Sequence, residues 1–415
     1  MQGTPMVPTK RSESMAANAV INDRRIRGIN LGGWLLMEGY ILGGRNIPEH
    51  VLKNRFRSLY GEKALADFES SFRDNFINET DFRNIAASGA HCVRVPFHFR
   101  MIEQRPFIYD RSGFTWLDRV FTWAKKYRLK VILDLHAAPG AQNKDWHADS
   151  NGRAGLWNDR TLRERTAELW GVLAERYGSH PALQGYDILN EPVGGRGTQK
   201  KILSLYRRCI RKIRESDPRN MIFVEGDLWA TQIDFLEPLI EENIHASIHT
   251  YAPLEYTFHF RPLLRYPGRI QGKQWQKRVL KSYLKPYKKF SEKMNCRIFV
   301  GEFGIHWRGG CWGEKEWLRD ILEIFEEYCF DYTYWTYKSV KNAVFPDGLW
   351  YFLPNAPWVR REGPVRGWEN YCHRLPSGTA GTWRREKRKI IDFWRTGSYT
   401  RNRELIRILK EYFKR

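Results

Sequence analysis

Leu183-Gln-Gly-Tyr-Asp-Ile-Leu-Asn-Glu-Pro192 is an apolar run that ends on a carboxylate, Glu191. Farther along, Arg297-Ile-Phe-Val-Gly-Glu-Phe-Gly304 does the same at Glu302. Both read as short buried strands. A charge at the tip of a buried strand is costly, so a carboxylate placed there twice points to chemistry rather than chance.

Working outward, the same kind of run recurs. Strands are predicted at 25–33, 92–97, 130–138, 183–191, 221–227, 244–251, 297–303 and 331–337. Helical periodicity fills 78–88, 115–128, 161–178, 198–216, 233–241, 274–294 and 313–329, and 383–414 supplies a final helix. Short apolar strands alternating with longer amphipathic helices predict a parallel sheet, and eight units predict its closure. The expected fold is α/β, a single (β/α)8 TIM barrel with long loops on its C-terminal face. Residues 1–24 read as a loose arm, and 25–415 as the barrel with its C-terminal helix. Three connections exceed what a plain barrel needs: 34–77, with small helices of its own, 138–160 and 340–382. All follow strands, so they belong to the face where barrel active sites are built.

The bulk numbers narrow the class. The 415 residues carry 42% hydrophobic and 28% charged residues, an ordinary globular balance, without an apolar run long enough to span a membrane. The polar N-terminus lacks an apolar signal core, so the chain is expected to be cytoplasmic unless a leader has been removed. Six cysteines lie far apart with no C-x-x-C pair, and read as free, mostly buried thiols. No metal-ligand cluster and no phosphate-binding glycine loop is apparent, so neither a metal nor a cofactor is expected. A net charge of +22 admits two readings, a solvated basic surface or affinity for an acidic polymer. The densest stretch, Trp383 to Arg415, has twelve Lys/Arg against four Asp/Glu. It lacks the spaced aromatics of a strand-stacking platform, and no nucleic-acid partner is expected. A monomer is expected.

The strand ends belong together. They carry Arg94 on strand two, Asp134 and His136 on three, Asn190 and Glu191 on four, His249 and Tyr251 on six, Glu302 on seven and Trp335 on eight. Singly, each has a structural explanation. Six polar or aromatic tips converging on one barrel mouth favour a pocket. Paired carboxylates there are the minimum equipment for cleaving a glycosidic bond.

The chain resembles glycoside hydrolase family 5, the cellulase-type retaining β-glycosidases. The resemblance rests on Arg27-Gly-Ile-Asn-Leu-Gly-Gly-Trp34, Val93-Arg-Val-Pro96, Asp134-Leu-His136, Leu189-Asn-Glu-Pro192, His249-Thr-Tyr251, Gly301-Glu-Phe-Gly304 and Tyr334-Trp-Thr336, in family order. The start and the Ala138-Pro-Gly-Ala-Gln-Asn143 loop look most like the exo-β-1,3-glucanase branch. No family motif is seen in 340–382. The resemblance implies Glu191 as acid/base and Glu302 as nucleophile. It implies Arg94 and Tyr251 as supports of Glu302, Asn190 on the sugar 2-hydroxyl, and His136 and His249 as positioning groups. Trp335 would be the stacking floor. Softer candidates for substrate contact are Trp34, Glu38, Asn143, Trp146, His147, Trp229 and Trp307.

The implied activity is hydrolysis of β-glucosidic bonds in a glucan, oligosaccharide or glucoside, by double displacement and from a chain end. An endo-acting β-glucanase and a non-catalytic glycan- or anionic-polymer-binding barrel stay open. The loop 256–268, with Arg261, Arg265 and nearby Arg269, either reads a decorated glycan or simply packs.

Overall fold

The structure, a computed structural model, describes residues 25–44, 46–195, 197–352 and 380–415. The expected N-terminal arm, Cys372 and much of the 340–382 connection lie outside the described residues.

Eight parallel strands close into a barrel: β1 (Arg27–Asn30), β2 (Cys92–His98), β3 (Lys130–Ala137), β4 (Leu183–Asp187), β5 (Met221–Glu225), β6 (Ile244–His249), β7 (Ile298–Phe303) and β8 (Asp331–Tyr334). Each pairs with its sequence neighbours, and β1 pairs with β8 to complete the ring. Around it run α1 (Glu49–Tyr60), α2 (Glu62–Phe76), α3 (Glu79–Ala87), α4 (Thr115–Lys126), α5 (Arg160–Tyr177), α6 (Gln199–Arg214), α7 (Lys277–Met294) and α8 (Glu314–Tyr328). Their apolar faces bury Trp170, Leu205, Leu284 and Trp317, and Phe68 packs on Phe56 and Trp394 of neighbouring helices. A small sheet joins β9 (Lys338–Val340), β10 (Trp350–Phe352) and β11 (Thr400–Arg401).

Three expectations need correction. The segment 233–241 is a short 3-10 helix, Asp234–Leu239, with Pro238 inside it. The final helix is two: α9 (Ala380–Trp394) on α2, and α10 (Arg403–Phe413) on α8. Thr396–Ser398 and β11 break the periodicity, and Asn402 caps the restart. The fourth strand stops at Asp187, short of Glu191. Of the cysteines, Cys92, Cys209 and Cys296 are buried free thiols, whereas Cys311 and Cys329 are exposed.

The barrel interior explains where the site sits. Successive side chains of a strand alternate sides. On β5, Met221, Phe223 and Glu225 therefore share a side; on β3, so do Ile132, Asp134 and His136; on β2, Cys92 and Arg94. The lower members pack together as one apolar cluster with Ile26 and Phe299. The upper members are polar, and they form the floor of the mouth.

Candidate active site

Arg94 is the hub of that floor and is fully buried. Its Nε donates to Asp187 Oδ2 at 2.8 Å. One terminal nitrogen donates to Asn30 Oδ1 at 3.1 Å and Glu302 Oε1 at 2.9 Å. The other donates to Asn190 Oδ1 at 2.9 Å and Glu225 Oε1 at 3.0 Å, and lies 3.2 Å from Asp134. A guanidinium is the one side chain whose fixed fork serves so many acceptors. Burial opposes its charge, but Asp134, Asp187, Glu302 and Glu225 outweigh it and hold the proton firmly. Burial and the Glu225 carboxylate push Asp187 well above the carboxylate range, against the pull of Arg94.

Glu302 reaches this hub through a defect in β7. Phe299 belongs to the interior cluster, and simple alternation would send Glu302 to the other side. The register shifts between Val300 and Glu302 against β6, and the bulge turns the carboxylate into the mouth. There Arg94 holds one oxygen, and the Tyr251 hydroxyl donates to the other at 2.7 Å.

Glu191 lies four residues beyond the end of β4 with φ 48°. This left-handed conformation costs about 1–2 kcal/mol for a residue with a Cβ. Two contacts fix it: its N–H donates to Glu225 Oε2 at 2.6 Å, and Asn143 Nδ2 donates to its carbonyl at 2.9 Å. His249 Nδ1 lies 2.8 Å from Glu191 Oε1, and His147 Nε2 lies 3.4 Å from Oε2. Burial pushes the Glu191 carboxyl up, but the His249 hydrogen bond and the His249, His147 and His136 charges bring it down to about 2. Burial opposes the charge of His249, yet Glu225, Glu302 and Glu191 raise its pKa well above the usual imidazole value. In the free site the proton of this pair sits on the imidazole.

An oxygen of Glu191 and one of Glu302 lie within 4.8 Å of each other. Asp134, Asp187 and Glu225 crowd as closely. Protein cations stand against both groups: Arg94 pairs with Glu302, Asp187 and Glu225, and His249 with Glu191 and Glu225.

Most of the remaining sequence candidates surround this pair. Trp335 stacks on His136 with ring centroids 5.5 Å apart and 10° between planes. Its indole donates to the Tyr40 hydroxyl. The glycines of the flanking motifs are forced: a Cβ on Gly32 would meet the Trp335 ring at 2.8 Å, and one on Gly301 would meet His249 Nε2 at 2.9 Å. His136 Nδ1 is fixed by Asp134 at 2.7 Å. Asn190 Nδ2 is buried without a hydrogen-bond partner among the described residues. Glu38 is 2% exposed and its Oε1 also lacks a partner; burial raises its carboxyl to about 7 against the pull of His136 and His147. Trp146 packs edge-on to Tyr40. Trp229 is 46% exposed, with its indole donating to Asp145 at 2.7 Å.

Two candidates sit elsewhere. Trp34 is fully buried, and its indole donates to the Arg73 carbonyl, fastening α2 to the barrel. Trp307 lines a cavity of about 490 Å³ with Lys341, Asp347, Tyr351 and Asn402, and neither glutamate of the pair lines it. In the 256–268 loop Tyr256 and Tyr266 are buried, Arg265 stacks on Trp312, and Phe260, Arg261 and Leu263 are exposed.

Sequence reasoning missed Glu225, Tyr40 and Gln142. Gln142 donates to the carbonyls of His136 and Asn190 and so ties β3 to the turn that carries Glu191. Glu225 had the same signal as the two glutamates, an apolar run, Met221-Ile-Phe-Val-Glu225, ending on a carboxylate.

Comparison with known proteins finds similarity to glycosidases. A beta-xylosidase of Phanerodontia chrysosporium is 28% identical over 77% of this chain and 68% of its own length. Endoglucanase C of Acetivibrio thermocellus is 26% identical over 77% of this chain and 92% of that protein. A probable glucan 1,3-beta-glucosidase A of Aspergillus fumigatus is 28% identical over 54% of this chain and 56% of that protein. The crystal structure of a glycoside hydrolase shares the fold, with a TM-score of 0.63 at 21% identity over 94% of this chain and 99% of that one. The family model for cellulase, glycosyl hydrolase family 5, matches residues 58–341, most of the barrel, and the chain belongs to that family.

Proposed function

We propose that this glycosyl hydrolase uses Glu302 as nucleophile and Glu191 as acid/base to remove β-linked glucose from a chain end. The supporting observation is the approach of the two carboxylates to within 4.8 Å. Retaining sites hold their carboxyls about 5–5.5 Å apart, whereas inverting sites leave about 6.5–9.5 Å for a water. Glu302, held at both oxygens, attacks the anomeric carbon while Glu191 passes a proton to the departing oxygen. Glu191 then takes a proton from the water that cleaves the glycosyl ester, and the cycle closes. Asn190 Nδ2 donates to the sugar 2-hydroxyl, and Trp335 supports the apolar face of the ring.

Exo action is supported by the wall beside Trp335. Tyr40 packs on Phe345 at 4.6 Å and on Trp146 at 5.8 Å, so the loops after β1, β3 and β8 meet over one end of the site. The protein is taken to act as a monomer. The test is a panel of aryl β-glucosides, β-xylosides and β-1,3- and β-1,4-linked oligosaccharides, with proton NMR of the first product. Release of the terminal sugar with retained configuration is expected. Inverted product, or internal cleavage yielding only oligosaccharides, would overturn the proposal.

A further inference from the structure

The geometry points to Glu225 as a positioning residue that loads the acid/base with its proton, an inference that rests on the roles just given to Glu191 and Glu302. Three contacts carry it. Glu225 Oε2 accepts the Glu191 N–H at 2.6 Å and so holds the strained backbone at φ 48°. Glu225 Oε1 accepts from Arg94 at 3.0 Å, the same guanidinium that grips Glu302. That oxygen also lies 3.2 Å from His249 Nε2, at an ion-pair distance without hydrogen-bond alignment. One fully buried carboxylate thus touches the acid's backbone, the nucleophile's clamp and the far side of the imidazole whose Nδ1 faces Glu191.

The consequence is electrostatic. His249 is faced by Glu191 from the turn after β4, by Glu225 from β5 and by Glu302 from β7 at 3.7 Å. Arg94 sits behind the last two, Asp134 and Asp187 behind Arg94, and His147 behind Glu191. Of these, Glu225 is the anion that touches only Nε2, so it stabilises the imidazolium without competing for the proton at Nδ1. As the leaving oxygen gains charge, His249 Nδ1 gives its proton to Glu191, and Glu191 passes that one proton on to the leaving oxygen. His249 ends neutral, Glu191 ends ionised, and the Glu302 charge is consumed in the ester. The water that cleaves the ester restores the proton to the pair.

Glu225→Gln keeps the side-chain size and removes the charge. Its expected effect is a fall of the alkaline limb of kcat/KM by about one to three pH units, the shift a neighbouring opposite charge produces. The loss should be large on a phenyl β-glucoside and small on a 2,4-dinitrophenyl β-glucoside, whose leaving group needs no acid. Glu225→Asp should restore the limb in part. An unmoved limb, with equal loss on both substrates, would make Glu225 merely structural and overturn the inference. If Glu225→Gln does not fold, Glu225→Asp is read alone, and an unmoved limb in that variant with equal loss on both substrates counts against the inference. Glu191→Gln is the control. If it retains turnover of the phenyl glucoside, the acid/base assignment itself has failed, whatever Glu225→Gln does.

Discussion

Arg94→Lys keeps a positive charge at the hub and removes the fork, and its cost can be worked from the contacts. Arg94 donates five hydrogen bonds, to Asp187, Asn30, Glu302, Asn190 and Glu225. An ammonium has three donors, so five less three leaves at least two acceptors without one. A hydrogen bond to a charged group is worth about 1.5–3 kcal/mol, which gives about 3–6 kcal/mol of lost stability. The hub is fully buried, so no solvent screening reduces this figure. Urea unfolding followed by tryptophan fluorescence reads the loss directly. Activity should fall at least about a hundredfold, because a nucleophile displaced by an ångström loses that much. The fall should be similar on good and poor leaving groups, since Glu302 forms the same bond to the anomeric carbon in both. A stability loss below about 1 kcal/mol, the ordinary effect of a point mutation, would refute the hub account.

Three further outcomes are expected. Glu191→Ala should be rescued by azide on a dinitrophenyl glycoside to give a β-glycosyl azide, whereas Glu302→Ala should give no retained azide product; NMR of the azide settles it. Tyr251→Phe removes the 2.7 Å donor to Glu302, and about 1.5–3 kcal/mol of lost charged hydrogen bonding is a fall of roughly 10- to 150-fold in kcat; turnover equal to the parent enzyme would remove Tyr251 from the site. Glu38 rises from 4.5 to about 7 on folding, so the folded state binds the proton more tightly and its stabilising effect is complete below pH 4.5 and lost as pH rises through about 7. Glu38→Gln should flatten that fall in unfolding free energy, by up to roughly 3 kcal/mol at about 1.4 kcal/mol per unit; an unchanged slope would mean Glu38 is ionised in the fold.

The sequence by itself determined the barrel and most of the polar side chains that stand at its mouth. Eight apolar runs separated by helical periods leave a closed parallel sheet as the arrangement that buries them all, and strand tips then share one mouth. Arg94, Asn190, Glu191, His249, Tyr251, Glu302 and Trp335 were legible because each ends or follows such a run. Period-2 alternation even held the clue to Glu225, which stands above Met221 and Phe223. Other features were decided only by tertiary structure. The β7 bulge that turns Glu302 inward and the left-handed backbone of Glu191 are imposed by contacts from other strands, so neither has a local signature. The helix expected at 383–414 broke because β11 is pulled into a sheet with β10. Trp34 and Trp307 share the composition of pocket residues, but which face an aromatic presents depends on what packs against it. The ionisation of the Glu191–His249 pair was likewise beyond the sequence, because a pKa is set by burial and by charges that the fold brings from β5 and β7.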